Sequence, residues 1–396
     1  MRRLFLLISV FSFVVASAQP YPDSKILTEK DLKTGASQTS KYIPLLKDKR
    51  VGVIANATSA IFGINLVDTL LAMKVNVKKV FCPEHGFRGT ADAGEKVKTE
   101  NDPKTGLPII SLFGKHFKPT KEDLADIDVL VYDIQDVGVR FYTYISTMTY
   151  CMEAAAENNK QFMVLDRPNP NGYYVDGPVL EPQFKSFLGL HPVPIVYGMT
   201  CGEYAQMVNN EGWLDKGVKC SLKVITLQNY THVDLYQLPV RPSPNLPNMR
   251  AIYLYPSLGL FEGTIVSVGR GTNTPFQAIG HPDAKAEYSF VPRPMEGAKN
   301  PKYVGKSCFG HYLGDFADSY IRDSKQLYLL WLTGMYKQLK NQQFFDENFN
   351  FHAGNSTLQQ QIKQGMSEEK IAQSWASDIA KFKKIRKKYL LYKDFE

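Results

Sequence analysis

Cysteine is scarce in this sequence and never paired in a metal-binding or redox pattern. Cys82, Cys151, Cys201, Cys220 and Cys308 show no C-x-x-C spacing, and their number is odd. That argues against the disulfide framework of a small secreted domain and against a structural zinc site. Buried free thiols are the expectation, with one bridge as the alternative in an oxidising compartment. The seven histidines form neither H-E-x-x-H nor H-x-H, so no local metal motif is present. No G-x-G-x-x-G opens a helix after the first predicted strand, where the turn reads ANATSAIFG, and no G-x-x-x-x-G-K occurs. The usual dinucleotide and phosphate-loop signals are therefore missing. Internal repeats and low-complexity tracts are missing too. After the first residues, no stretch reaches the ~20 apolar residues that a spanning helix needs.

The first residues read as a leader. MRR is a basic n-region, LFLLISVFSFVV an apolar h-region, and Ala16-Ser17-Ala18 a small-residue cleavage site. The expectation is a signal peptide over 1–18, cut before Gln19, and an exported protein, periplasmic or secreted, with no stable membrane anchor. The formal net charge is +8, and Arg2 and Arg3 leave with the leader. Much of the remainder lies in KFKKIRKKYLLYK at 381–393. It reads as the solvated face of a terminal helix with Ile385, Leu390 and Leu391 turned inward. Attraction to an anionic polymer such as cell wall is the competing reading. No basic and aromatic stripe is interleaved as nucleic-acid binding would require, so no nucleic-acid partner is expected.

The mature chain is long for one domain, and ~100–200 residues per domain predicts two. Apolar runs at 51–54, 77–82, 107–114, 126–138, 161–165 and 222–227 alternate with the helical stretches INLVDTLLAM and FYTYISTMTYCMEAAAENN. Continuous apolar strands alternating with helices predict an α/β fold: a Rossmann-like, doubly wound, mostly parallel sheet. LPVRPSPNLPNMRAIYLYPS (238–257) is rich in Pro and Asn, which predicts a long ordered loop or domain junction. Beyond it, alternation around Val266 and Val268 predicts a strand ringed by glycines, and helices are expected at 326–339 and 367–392. Ser367 with Glu368 and Glu369 reads as a helix N-terminus. The predicted division is a leader over 1–18, a Rossmann-like catalytic domain over 19–235, and a smaller α+β C-terminal domain over 236–396.

Ligands of such sheets bind outside the carboxyl ends of the strands. Three polar motifs follow apolar strands directly: CPEHGFRG (82–89), YDIQDVGVR (132–140) and LDRPNPNG (165–172). Glu84 sits on a tight turn and is a candidate general acid; capping a helix or pairing with Arg88 is the plainer role. His85 suits a sugar contact or a hydrogen bond that orients Glu84. Asp133 and Asp136 flank Gln135 at a strand end, and either could be a second carboxylate for glycoside hydrolysis, as could Glu262. Structural ion pairs are the alternative. Glu203 reads better as the cap of the following helix. Arg140, Arg167 and Arg270 could each clamp a carboxylate through a planar fork. Phe141, Tyr142, Tyr144, Tyr173 and Tyr174 make the loops aromatic, for core packing or for stacking on sugar rings.

These motifs resemble the exo-acting β-N-acetylmuramidases of the NamZ type. The matching stretches are PEHGFRG (83–89), YDIQDVGVRFYTYISTM (132–148), VLDRPNPNG (164–172), RPSPNLP (241–247), SLGLFEGTIVSVGRGTNTPF (257–276) and SW…F…R..YLLY (374–392). They span nearly the whole mature chain. The resemblance implies a Rossmann-like domain plus a smaller C-terminal domain with the active site between them. It also implies release of terminal N-acetylmuramic acid from peptidoglycan glycans, with no cofactor or metal. It places the catalytic glutamate on Glu84; the substrate's own acetamido group, or Asp133, Asp136 or Glu262, is then expected to do the rest. Substrate contacts are then expected from His85, Arg88, Asp136, Arg140, Tyr142, Arg167, Asn169, Asn245 and Arg270. Cys82 stands where an aromatic residue is common, and VDGP (175–178) stands where VEGP is usual. A non-catalytic cell-wall sugar-binding protein and a metal-dependent hydrolase are the competing functions.

Overall fold

The computed structural model describes residues 25–84, 86–88 and 100–396, the side chains of Glu100 and Ser319 excepted. The expected leader and His85 lie outside those residues. The centre of the fold is a seven-stranded sheet. Its strands are β1 (Val51–Ala55), β2 (Val77–Cys82), β3 (Glu100–Asn101), β4 (Pro108–Ser111), β5 (Val129–Asp133), β6 (Gln161–Leu165) and β7 (Ser221–Ile225). The order across the sheet is β7-β6-β5-β1-β2-β4-β3, and every pairing is parallel except β3 with β4. The chain builds outward from β1 in one direction and then in the other. The switch point therefore lies between β1 and β5, where a doubly wound sheet opens a crevice at its carboxyl edge.

Continuous apolar sequence explains why these strands are central. Every residue of β1 (VGVIA) and of β5 (VLVYD) is buried, as strands covered on both faces must be. Side chains alternate between two cores. Val51, Val53, Val80, Val129 and Val131 pack with α1 (Thr39–Leu46) and α2 (Leu66–Ala72). Ile54, Phe81, Leu130, Tyr132 and Phe162 pack with α3 (Tyr144–Glu157) and α4 (Cys201–Asn210). Helix α4 opens with a full capping box between Thr200 and Glu203, so Glu203 is the cap that its position suggested.

The C-terminal part holds a three-stranded antiparallel sheet of β8 (Ala278–His281), β9 (Tyr288–Phe290) and a central β10 (Cys308–Tyr312). Around it lie α5 (Met249–Leu258), α6 (Leu330–Leu339), α7 (Phe349–Ala353), α8 (Thr357–Lys363) and α9 (Glu368–Arg386). The end of the chain is tied back to the first sheet. Arg386 is buried and donates to the Gly198 carbonyl and to Asp394, and the Tyr392 hydroxyl donates to Asp166 at 2.6 Å. Asp176 of VDGP joins the parts as well, accepting from the Leu327 amide and the Trp375 indole.

Three local expectations are corrected, while Ser367 starts its helix as expected. The Pro-rich stretch at 238–257 ends in helix α5, started by Asn248, whose side chain accepts from the Ala251 amide at 3.1 Å. Val266 and Val268 are buried but form no strand. The chain there turns through Gly269 and Gly271, both at positive φ, which breaks a pleated ladder. Ser367 is the N-cap of α9, but its side chain makes no capping bond. Ile385 packs against the core as expected, whereas Leu391 is exposed. All five cysteines are buried and none is in a disulfide with another described residue, and no helix among the described residues is long and apolar enough to cross a membrane.

Candidate active site

At the carboxyl edge of the sheet a cavity of about 180 Å³ is built from both parts of the chain. Glu84 enters from the turn after β2. Phe141, Tyr142, Thr143 and Tyr144 enter from the passage between β5 and α3. Ser243, Asn245 and Leu246 come from the loop before α5, and Tyr255 from α5 itself. Glu262, Arg270, Phe276 and, from α7, His352 complete the wall with Leu188. The turn that carries Glu84 is tight: the Gly86 amide donates to the Pro83 carbonyl at 3.2 Å, and Gly86 has φ +76°. An L side chain would be strained there, so the glycine is part of what places Glu84 half-buried at the strand end.

The electrostatic centre is Glu262 with Arg270. Arg270 donates from Nε at 3.0 Å and from Nη2 at 2.8 Å, both to Oε1. Burial pushes the Glu262 carboxyl up, but the charges of Arg270, His352 and Lys302 together with the Arg270 hydrogen bonds hold it below the ordinary carboxylate range. Glu262 is therefore an anion at neutral pH. The Arg270 guanidinium also lies over Phe276, 5.0 Å from the ring centre. Arg270, Tyr144 and Tyr255 all feel the charge of Glu84. Tyr255 meets Phe141, Tyr142 and Phe276 edge-on. Tyr142 and Tyr144 both donate to the Pro242 carbonyl, at 2.8 and 3.3 Å, which fixes their rings and leaves apolar faces for a ligand.

Of the residues singled out in the sequence, the cavity gathers Glu84, Phe141, Tyr142, Tyr144, Asn245, Glu262 and Arg270. The other described candidates lie elsewhere. Asp133 is fully buried and bound bidentately by Arg167, at 2.6 and 2.9 Å. Arg88 does the same with buried Asp102, at 3.0 and 2.7 Å, and borders a neighbouring pocket with Arg241 and Asn56. Asp136 accepts from the Tyr197 hydroxyl and the Gly138 amide. Arg140 donates to the carbonyls of Pro178, Val193 and His352. Asn169 donates to the Met199 carbonyl and accepts from the Asn171 amide. Among the described residues no three His, Cys, Asp or Glu side chains gather as metal ligands would.

The two parts of the chain match the two parts of one family. Residues 51–250 match the N-terminal region of exo-β-N-acetylmuramidase NamZ, and residues 253–392 match its C-terminal region. The chain belongs to the NamZ family. It is 39% identical to the peptidoglycan β-N-acetylmuramidase NamZ of Bacillus subtilis (strain 168) over 408 aligned positions, 96% of either chain. Two crystal structures of DUF1343 family proteins from Bacteroides fragilis share its fold. One is 46% identical with a TM-score of 0.86, and the other is 32% identical with a TM-score of 0.76. Each comparison covers 92% of this chain and 99% of the other.

For a NamZ-family chain the cavity adds residues that no sequence argument reached. Ser243, Leu246, Tyr255, Phe276 and His352 line it, yet none stands at the end of a predicted parallel strand. Ser243, Leu246 and Phe276 lie inside stretches that carry the family resemblance, which is the one signal that could have found them. His352 lies outside every such stretch, on a short helix that reaches the cavity only through tertiary packing.

Proposed function

We propose that this chain is an exo-acting glycoside hydrolase that releases terminal β-linked N-acetylmuramic acid from peptidoglycan fragments, with Glu84 as the general acid. The observation that carries the reading is one cavity holding two carboxylates in unlike settings. Glu262 is kept ionised by Arg270, while Glu84 stands half-buried on a turn among aromatic rings. Carboxylates with environments that differ in this way divide acid and anion roles between them. Glu84 delivers its proton to the glycosidic oxygen as the bond to the anomeric carbon breaks. Glu262 offers a fixed negative charge to the oxocarbenium-like centre, and water completes the hydrolysis. Attack by the sugar's own 2-acetamido oxygen is the alternative to a direct part for Glu262. The aromatic walls suit a sugar ring. The relative named as a peptidoglycan β-N-acetylmuramidase supports the substrate class.

The test is release of chromophore from a β-N-acetylmuramide, with the matching β-N-acetylglucosaminide as control, by wild type and Glu84→Gln with and without chelator. Cleavage of the muramide alone, lost in the variant and indifferent to chelator, is the expected result. Full turnover by a folded Glu84→Gln protein would remove Glu84 as the acid. Binding of muropeptides without cleavage by wild type would make the chain a sugar-binding protein instead.

A further inference from the structure

Arg140 is fully buried, yet no carboxylate among the described residues partners it. Its Nη1 donates to the Pro178 and Val193 carbonyls, each at 2.8 Å, and its Nη2 donates to the His352 carbonyl at 2.9 Å. Its Nε finds no acceptor, and burial lowers its pKa to about 9. A buried cation without a counter-ion is costly, so the arrangement calls for a reason. The surrounding chain makes way for it. Gly354, at φ +81°, ends α7, and a Cβ there would lie 2.4 Å from Nη2 of Arg140; a Cβ on Gly189 would lie 3.0 Å from its Cδ. Three carbonyls are thereby pinned, and one belongs to a residue that lines the cavity from the other part of the chain.

That residue is polarised in one direction. Nδ1 of His352 lies 3.1 Å from the Asn348 carbonyl. A carbonyl only accepts, so Nδ1 carries a hydrogen and Nε2 is the ring nitrogen left for another partner. Nε2 has no hydrogen-bond partner among the described residues and is not sealed inside the protein. The ring rests against Phe141, with centres 5.5 Å apart, and faces the cavity that holds Glu262 and Arg270. Those two are committed to each other, and the Tyr142 and Tyr144 hydroxyls donate to protein. Nε2 of His352 is thus a polar ring atom that no described protein group engages, on a residue that lines the cavity.

We infer that His352 contacts the substrate, Nε2 sharing a hydrogen bond with a polar group of the terminal sugar, and that Arg140 is the positioning residue that holds His352 in place. The inference rests on the muramidase reading. A purely structural Arg140 would explain the pinned carbonyls but not a ring nitrogen left without a protein partner on a residue that lines the cavity.

The experiment compares wild type, His352→Phe, His352→Gln, Arg140→Lys and the Arg140→Lys/His352→Phe double variant as full-length proteins. Thermal unfolding, kcat and KM on the chromogenic β-N-acetylmuramide, and calorimetric binding of free N-acetylmuramic acid are measured for each. His352→Phe keeps the ring and its packing on Phe141 but removes both ring nitrogens. It should unfold as wild type does while KM and the product's dissociation constant rise about tenfold. His352→Gln, which offers an amide donor and acceptor at similar reach, should recover most of that loss. Arg140→Lys should weaken binding too, and the double variant should bind no worse than His352→Phe. Wild-type binding by His352→Phe, or a Gln variant as weak as the Phe variant, would overturn the contact. Additive losses in the double variant would overturn the positioning role. If wild type neither cleaves the muramide nor binds the sugar, the muramidase reading falls and takes this inference with it. If wild type cleaves and only His352→Phe is unchanged, the inference alone falls.

Discussion

Arg270 places both of its hydrogen bonds on a single oxygen of Glu262, Oε1, from Nε at 3.0 Å and Nη2 at 2.8 Å. Glu262 also lines the cavity. The carboxylate that Arg270 holds is thus one that borders the space for a ligand. Arg270 is also the strongest single influence opposing the upward push of burial on that carboxyl.

Replacing Arg270 by Lys tests this relationship. Lysine is a point charge without the planar fork, so the restraint on Glu262 weakens and its carboxyl titrates at higher pH. The acid limb of the kcat/KM profile for the muramide should move to higher pH, with about a tenfold loss at neutral pH. Glu262→Gln should cost about a hundredfold or more, the usual consequence of removing a charge that meets the developing cation. An acid limb that stays in place in Arg270→Lys would remove Glu262 from the reaction.

The Asp133–Arg167 pair calls for the opposite outcome. Asp133 is wholly buried and both its oxygens are taken by Arg167, away from the residues that line the cavity. Asp133→Asn would strand a buried guanidinium and should destabilise the fold by about 3–5 kcal/mol. Asp133→Asn/Arg167→Met removes both charges and should regain much of that stability. Urea unfolding of the two variants checks the difference. The folded fraction of each should keep turnover on the muramide within about threefold of wild type. A hundredfold loss in the double variant at wild-type stability would instead return Asp133 to the chemistry.

Much of the sheet could be read from sequence because VGVIA, VLVYD and QFMVL hold continuous apolar runs, as strands covered on both faces do, and VKKVFC ends in one after its two lysines. Glu84 was legible for a related reason. A carboxylate on a Pro-Glu-His-Gly turn at the carboxyl end of such a strand has few structural uses. Asp133 could not be told apart from it. An acid followed by arginines has the same composition whether it faces a cavity or a buried partner, and only the fold decides. Helix α5 was hidden by the prolines before it and by Pro256 within it, although Asn248 was available as an N-cap signal. His352 was beyond reach because its place depends on Arg140, which lies 212 residues away in the sequence.

Asp136 provides the pH test. It is 5% exposed, and Oδ2 accepts from the Tyr197 hydroxyl and the Gly138 amide, while Oδ1 has no partner. Burial pushes its carboxyl up to about 6, against the pull of those hydrogen bonds. Its folded pKa is therefore above the unfolded value of 3.8, and the native state binds this proton more tightly than the unfolded chain does. The stabilisation from that proton is fully present below the unfolded value and is lost as pH rises through about 6. Asp136→Asn cannot ionise, so it escapes that loss. The amide carries its own cost, because its N–H₂ or its oxygen must face the space around Oδ1, but that cost does not vary with pH. Between about pH 4 and about pH 7.5 the stability of Asp136→Asn relative to wild type should therefore rise by about 2 kcal/mol. Urea unfolding of both proteins at the two pH values measures the change directly. A difference that does not vary with pH would mean that Asp136 does not keep its proton as tightly as its burial demands, and that a compensating charge reaches it in the folded state.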